Sequence, residues 1–406
     1  MLAALAWRNL WRRPQRTLLS LLSIALVCAL LVFMLSFQQG VYSQMKETTL
    51  RIFDGYAQLQ PQGYADDPAL ERVMADPVRL ARKAAAIDGI KVAAPRVNGF
   101  AILARGDRSY AAAVVGVDPA AEAKVSTLAR RIAAGRYLRA SDSDAAILGD
   151  VLARNLGVKV GDRITLLGSA RDGSVAADVL TATGLYHSGI AALDRSILQM
   201  PFARAQETFG MQGAANTIAL GGASLAAVDR ALPRLAALAD RHGVTVRDWR
   251  ALEPALRAAV ELDYATSMVL YATLVLVVAF IILNALMMSV LERTRELGTL
   301  LALGMRSGQI GAMVWAELLM LALGGALCGV AAGAAATLYL QHSGVVFAMD
   351  PRVLERLGVP QRLFPSLSWF SALAGPGALV GSIVLGGLIP YLRVHRMTPA
   401  LAMRAP

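Results

Sequence analysis

Four stretches of the chain are apolar at nearly every position, and each is long enough to cross a bilayer, whose hydrocarbon core of about 30 Å takes roughly 20 helical residues. They are Thr17–Phe37 and stretches within Tyr264–Leu291, Ile310–Leu340 and Leu363–Leu392, with Glu317 the one charge inside them. Between the first two the texture changes: 38–263, about 226 residues with 27 Lys+Arg and 24 Asp+Glu, mixes polar and apolar positions as a folded, water-exposed domain does. The predicted fold class is an α-helical membrane protein with four transmembrane helices and an α/β extracytoplasmic, periplasmic domain inserted between helices 1 and 2. Its segments are 1–16, span 17–37, domain 38–263, span 264–291, loop 292–309, span 310–340, loop 341–362, span 363–392 and tail 393–406.

Within the inserted domain, Tyr56–Gln60, Ser109–Val117 and Val244–Val246 have strand texture, and Pro77–Ile87 and Ser224–Ala239 have helical spacing. Asp118-Pro119 ends the second strand, and Gly161–Leu167 opens a hairpin with Arg171-Asp172-Gly173 as its turn. Gln39–Ile52 and Ala251–Asp263 both read as helices running directly into spans one and two, a two-helix stalk that couples the spans to the domain.

Charge sets the orientation. Arg8, Arg12, Arg13 and Arg16 precede span one, Arg293, Arg295 and Arg306 lie between spans two and three, and Arg393, Arg396 and Arg404 follow span four. With only Glu292 and Glu296 against these ten, the three segments carry most of the net charge of +11 and belong in the cytoplasm. Arg352, Arg356 and Arg362 in the second outer loop run against that asymmetry. The basic surplus is thus a topology signal and predicts no nucleic-acid partner. A hydrophobic content of 56%, 17% charged residues and a mean hydropathy of +0.50 exclude a disordered or fibrous chain. The first span is an apolar run of 21 residues, longer than the 7–15 typical of a signal peptide core, so it is expected to be retained. Cys28 and Cys328 both fall in spans, leaving the exported domain no disulfide.

The sequence shows no GxxxxGK[ST], HExxH, GxSxG or CxxC. No catalytic residue, no metal site and no cofactor on this chain are predicted. The four histidines, His187, His242, His342 and His395, are scattered, and a surface loop accounts for His187 beside Ser188. Inside the spans, Gly325, Gly329 and Gly333, and Gly377 and Gly381, recur every four residues as packing faces, either within one subunit or between two. Glu317, about three turns beyond Arg306, is costly in lipid and reads as a hydrogen-bonded link to a neighbouring helix, or as an interfacial residue that snorkels; Asn284 invites a weaker version of the same reading.

The loop Glu292-Arg-Thr-Arg-Glu-Leu-Gly-Thr-Leu-Leu-Ala-Leu-Gly304-Met305 is a short amphipathic helix whose stripe, Leu297, Leu300 and Leu301, suits a groove on a partner or the membrane surface. Here the chain resembles the ABC-transporter permease family that includes LolC/LolE, MacB and FtsX, with LolE-like members nearest. That family's E-R-x-R-E-I-G-x-L-x-A-L-G-A pattern is matched by Glu292, Arg293, Arg295, Glu296, Leu297, Gly298, Leu300, Ala302, Leu303 and Gly304. A second pattern, P-x-x-R-x-x-R-x-x-P-x-x-A-x-R, is matched by Pro390, Arg393, Arg396, Pro399, Ala402 and Arg404, and Trp7-Arg8-Asn9-Leu10 with Arg12 and Arg13 resembles the family's opening. Val115-Gly-Val-Asp118 and Gly135-Arg-Tyr-Leu138 resemble LolE-like relatives in the outer domain.

The resemblance implies that 292–309, with Glu292–Met305 including Leu301, docks onto a cytoplasmic ABC ATPase dimer that binds ATP and Mg. It also implies a second permease subunit, identical or homologous, contact with membrane lipid, and residence in the bacterial inner membrane with both termini cytoplasmic. MacB itself carries a nucleotide-binding domain, whereas only about 16 residues precede span one here, so the ATPase is expected to be a separate polypeptide. The implied output is release of lipoprotein or lipid-linked cargo. The alternatives are MacB-like efflux of periplasmic peptide or drug cargo with a periplasmic adaptor, and FtsX-like control of a cell-wall hydrolase. A plain receptor fits the topology but leaves the loop motif unexplained.

Overall fold

The structure, a computed structural model, describes residues 2–12, 14–346 and 362–395. Arg13, Arg352, Arg356 and the C-terminal pattern from Arg396 onward lie outside the described residues. The helices in chain order are α1 (Leu2–Leu10), α2 (Pro14–Ile52), α3 (Pro77–Ala85), α4 (Pro119–Val125), α5 (Asp150–Leu156), α6 (Ala191–Ser196), α7 (Phe202–Thr208), α8 (Leu225–Asp240), α9 (Trp249–Leu252), α10 (Pro254–Glu292), α11 (Thr294–Ala302), α12 (Ser307–Ser343), α13 (Trp369–Gly386) and α14 (Leu388–His395). Among the described residues four helices are long and apolar enough to cross a membrane: α2, α10, α12, and α13 continued by α14. The first three extend beyond the apolar runs that announce them; the fourth begins at Trp369 rather than Leu363, because Leu363 lies in a short strand and Ser368 caps the helix.

Chain chemistry sets their ends. Pro14 and Pro254 stand at first helical positions, where a missing N–H costs nothing. Glu253 separates α9 from α10, so the predicted second stalk helix begins at Pro254 rather than Ala251. Ser368 caps α13: its hydroxyl accepts the Ser371 N–H at 3.1 Å while Ser371 Oγ accepts the Ser368 N–H at 3.0 Å.

The chain divides into two compact units at Gln44/Met45 and Ala258/Ala259. In the helical unit the bundle core joins Ile24, Cys28 and Leu31 of α2 to Val275, Ala279 and Ile282 of α10, Leu318 and Ala322 of α12, and Leu379 and Ile383 of α13. Gly325, Gly329 and Gly333 lie against α2 within this one chain. A Cβ on Gly325 would stand 2.7 Å from Ile24 Cβ, one on Gly329 2.5 Å from Cys28 Cβ, and one on Gly333 2.8 Å from the Ala29 carbonyl oxygen. Gly377 and Gly381 differ: nothing lies within 4 Å of a Cβ at either. The packing glycine of that helix is Gly375, whose Cβ would meet Leu31 Cβ at 2.9 Å. Two residues are 200° of helical turn, so Gly377 faces away from the side that Gly375 and Leu379 bury.

The inserted domain is α/β. Its strands are β1 (Ala57–Pro61), β2 (Met74–Ala75), β3 (Ile90–Arg105), β4 (Arg108–Val117), β5 (Ile132–Gly135), β6 (Ala145–Gly149), β7 (Arg163–Ser169), β8 (Val175–Tyr186), β9 (Ile197–Pro201), β10 (Ala214–Ala215), β11 (Thr217–Gly222) and β12 (Val244–Asp248); β13 (Val345–Val346) and β14 (Arg362–Leu363) form a small ribbon in the helical unit. The expected strand at 109–117 is β4, and Asp118 ends it by capping α4, its carboxylate accepting the Ala120 and Ala121 N–H groups at 2.9 and 3.0 Å. The expected hairpin is β7–β8, with Gly173 at φ 81° in its turn.

The long strand β3 was not foreseen, and it organises the domain. It pairs with β4 from Arg96 to Arg105, while its other edge pairs first with β11 and then, from Ala101 to Ala104, with β7. Consecutive pairings β3–β4–β9–β6–β8–β7–β3 close a ring. Inward positions such as Val97, Leu103, Val114, Leu148, Leu166, Leu180 and Leu198 fill it as one core. The other edge, β11–β1–β12, continues as an open sheet.

Candidate functional site

The turn between α10 and α12 carries the sequence's longest motif. α10 stops at Glu292, and Thr294 fixes the turn by donating its hydroxyl to the Leu291 carbonyl at 2.7 Å. α11 follows and is ended by Gly304 at φ 96°, a conformation L side chains rarely adopt. Gln309 then accepts the Arg306 N–H at 3.2 Å as α12 begins.

The stripe predicted to enter a partner's groove is used within the chain. Leu297 is 2% exposed and sits with Ala6, Val290, Ile310, Met313 and Val394, and Leu300, Leu301 and Met305 pack beside it. Gly298 is buried with Leu297. Hydrophobic burial explains this, since an apolar stripe this close to α1, α12 and α14 gains more by covering them than by facing water. The outward face is Glu292, Arg295, Glu296, Thr299, Ala302, Leu303 and Gly304, with Leu303 82% exposed.

Behind the turn lies a polar anchor. Glu317 of α12 accepts from Asn9 Nδ2 of α1 at 2.8 Å and from Arg293 Nη1 at 3.1 Å, and both charged side chains are mostly buried. Of the two readings for Glu317, the geometry is the interhelical link rather than the snorkelling one. Arg293 also reaches Glu296 at 3.5 Å, and Arg16 of α2 holds Glu292 at 2.8 Å and the Ala285 carbonyl at 3.1 Å. One residue at the start of α11 thus ties it to α12, and the residue before it ties α10 to α2. A cavity of about 270 Å³ lined by Arg12, Arg16, Arg293, Glu296 and Glu317 adjoins this network. Asn284 is corrected: it is exposed and makes no hydrogen bond among the described residues, because it lies two residues, or 200°, from the buried Ile282.

Within the bundle, α2, α10 and α13 leave an apolar groove of about 670 Å³ lined by residues such as Leu31, Leu35, Val275, Leu276, Phe280 and Phe370. Sequence reasoning missed it, because its walls are ordinary span residues; Asn9 was seen only as part of a motif. In the inserted domain His187 does not pair with Ser188, whose hydroxyl instead accepts the Ile190 N–H at 3.0 Å. It faces Asp150 and Asp194.

Comparison with known proteins follows the same division. The FtsX-like permease C-terminal family matches residues 268–399, and the MacB-like periplasmic core domain family matches residues 17–238. The lipoprotein-releasing system transmembrane protein LolC of Neisseria meningitidis serogroup B is 26% identical over 96% of this chain and 94% of its own. The corresponding LolE of Haemophilus influenzae is 24% identical over 98% of this chain and 97% of its own. Among solved structures, the periplasmic region of MacB from Actinobacillus actinomycetemcomitans aligns with a TM-score of 0.37 and 14% identity, over 50% of this chain and 91% of its own. With one family spanning more than half of the chain and the other its C-terminal spans, the chain belongs to the FtsX- and MacB-like permeases.

Proposed function

We propose that the chain is the membrane subunit of an ABC transporter that releases lipoprotein, or another lipid-linked cargo, from the inner membrane. A separate cytoplasmic ATPase dimer binds ATP and Mg and grips the outward face of α11, and a second permease subunit completes the complex. Both termini and α11 are cytoplasmic, as the arginine distribution directs, and the inserted domain is periplasmic.

The observation that carries this reading is a conjunction. End-to-end similarity to proteins named as lipoprotein-releasing subunits coincides with an apolar groove walled by three membrane helices. Acyl chains are the cargo that such a groove suits, since it offers dispersion contacts and almost no polar partners. Motion enters at α11: Arg293 and Glu317 pass its displacement to α12, and Arg16 and Glu292 couple α10 to α2. Because α2 and α10 each continue unbroken past the apolar spans, they carry that displacement into the chain of the inserted domain.

Filling the groove tests this. Ala378→Trp should lower cross-linking of a photoactivatable lipoprotein to the chain by about tenfold, while ATPase co-purification stays unchanged. Unchanged cross-linking contradicts the groove's role. MacB-like expulsion of periplasmic cargo is the second reading, favoured by the MacB-like core domain, and it predicts no such lipid cross-link.

A further inference from the structure

Three elements of the inserted domain meet in a place to which nothing above gives work: the first residue of α5, the loop after β8, and α6. His187 Nδ1 stands 3.3 Å from Asp150 Oδ2 and 3.3 Å from Asp194 Oδ2. The three ligating atoms all lie within 4.8 Å of one another. Two features set the cluster apart from a simple ion pair. A charge-assisted hydrogen bond runs about 2.7–2.9 Å, whereas here one Nδ1 is divided between two carboxylates, each at the longer distance of 3.3 Å. In a tetrahedral site with metal–ligand distances of about 2.0–2.2 Å, by contrast, neighbouring ligand atoms stand roughly 3.3–3.6 Å apart.

Besides His187, one arginine is the only basic side chain ion-paired with either carboxylate among the described residues. Asp194 is 1% exposed; its Oδ1 accepts the Ser188 N–H at 2.8 Å, and among the described residues its Oδ2 meets only His187. Asp150 Oδ1 is buried with no hydrogen-bond partner among the described residues. Asp150 Oδ2 receives Arg154 Nη1 at 2.7 Å, and that guanidinium is largely exposed. Asp194, buried with one backbone N–H and His187 beside it, is costly to keep charged, and a cation shared with Asp150 offsets that cost. The backbone is shaped to bring them together: a Cβ on Gly149 would stand 2.5 Å from the carbonyl carbon of Asp194, so glycine is what lets α6 approach the start of α5. His187 is 61% exposed, so solvent reaches the cluster on that side.

We propose that Asp150, His187 and Asp194 form a binding site for a divalent first-row transition cation of the zinc class. One imidazole with two carboxylates suits zinc better than calcium or magnesium, which take all-oxygen shells. The ion ties the loop 187–190 to the start of α5 and holds that end of the strand ring closed.

The test uses the full chain, tag-free and purified in detergent, stripped with a chelator and titrated with Zn²⁺. One equivalent should bind saturably, and Co²⁺ substituted for it should show the visible d–d absorption of a tetrahedral site. His187→Ala, at an exposed position the fold does not need, should weaken Zn²⁺ binding at least about tenfold and abolish the Co²⁺ absorption. Arg154→Gln, which removes the competing guanidinium, should tighten binding severalfold. Asp194→Asn, with its circular dichroism compared to wild type, supplies a second ligand variant. Absence of saturable Zn²⁺ binding to the wild-type chain, or equal affinity in His187→Ala, overturns the site.

Discussion

Arg96 of β3 is among the largest fully buried side chains of the inserted domain, and its Nε and Nη2 are hydrogen-bonded. It donates to both Glu122 carboxylate oxygens at 3.0 and 2.8 Å, donates to the Phe53 carbonyl at 2.6 Å, and stacks 4.5 Å from the Phe53 ring centre. Removing one member leaves a buried charge alone, so Glu122→Ala should cost about 3–5 kcal/mol in chemical denaturation of the domain. Asp54 and Glu253 form a different pair, two hydrogen-bonded carboxyls. Burial pushes Asp54 up against the opposing pull of Arg96; burial and then the Asp54 charge push Glu253 up to about 7. A folded-state value above the unfolded one, about 4.3 for Glu, gives stability that is whole at low pH and lost as pH rises through about 7. Thermal unfolding of the domain between pH 4.5 and 8 should therefore fall with rising pH, and Glu253→Gln should flatten that slope. None of these pairs was legible in the sequence, because each joins residues brought together only by tertiary folding. Glu317 was legible, since one charge in an apolar span demands a partner; which partner, Asn9 or Arg293, was not.

At the scale of the element, α11 shows what periodicity can and cannot say. Spacing of Leu297, Leu300 and Leu301 correctly marks an amphipathic helix, but it does not say whether the apolar side meets the chain's own helices or another protein. Packing decides for the former, so Leu297→Asp should reduce the yield of folded chain, whereas Leu303→Asp should leave it unchanged in detergent-extracted chromatography. The glycines divide in the same way. Gly329→Leu drives a side chain into α2 and should destabilise the bundle by about 1–3 kcal/mol or more, as overpacking does. Gly377→Leu meets open space and should leave thermal stability as it was. Four-residue spacing alone could not separate these two, since it fixes a helix face but not its neighbour.

For the whole molecule, the spans were readable because membrane crossing imposes length and apolarity on a continuous run: the helices contain the first three predicted stretches, and the fourth starts at Trp369 rather than Leu363. The inserted domain was readable as α/β and little further. Its ring depends on β3 meeting β7, β4 meeting β9 and β6 meeting β8, pairings between distant residues that no local pattern encodes. The proposed function rests, on this scale, on a grip from outside the chain. Purifying the tagged chain from its native membranes and measuring the ratio of co-eluting ABC ATPase, for wild type and for Leu303→Asp, examines that grip most directly. A near-stoichiometric ratio in the wild type that collapses in the variant, with folded chain still recovered, is the predicted result. An ATPase recovered equally with both, or with neither, contradicts it.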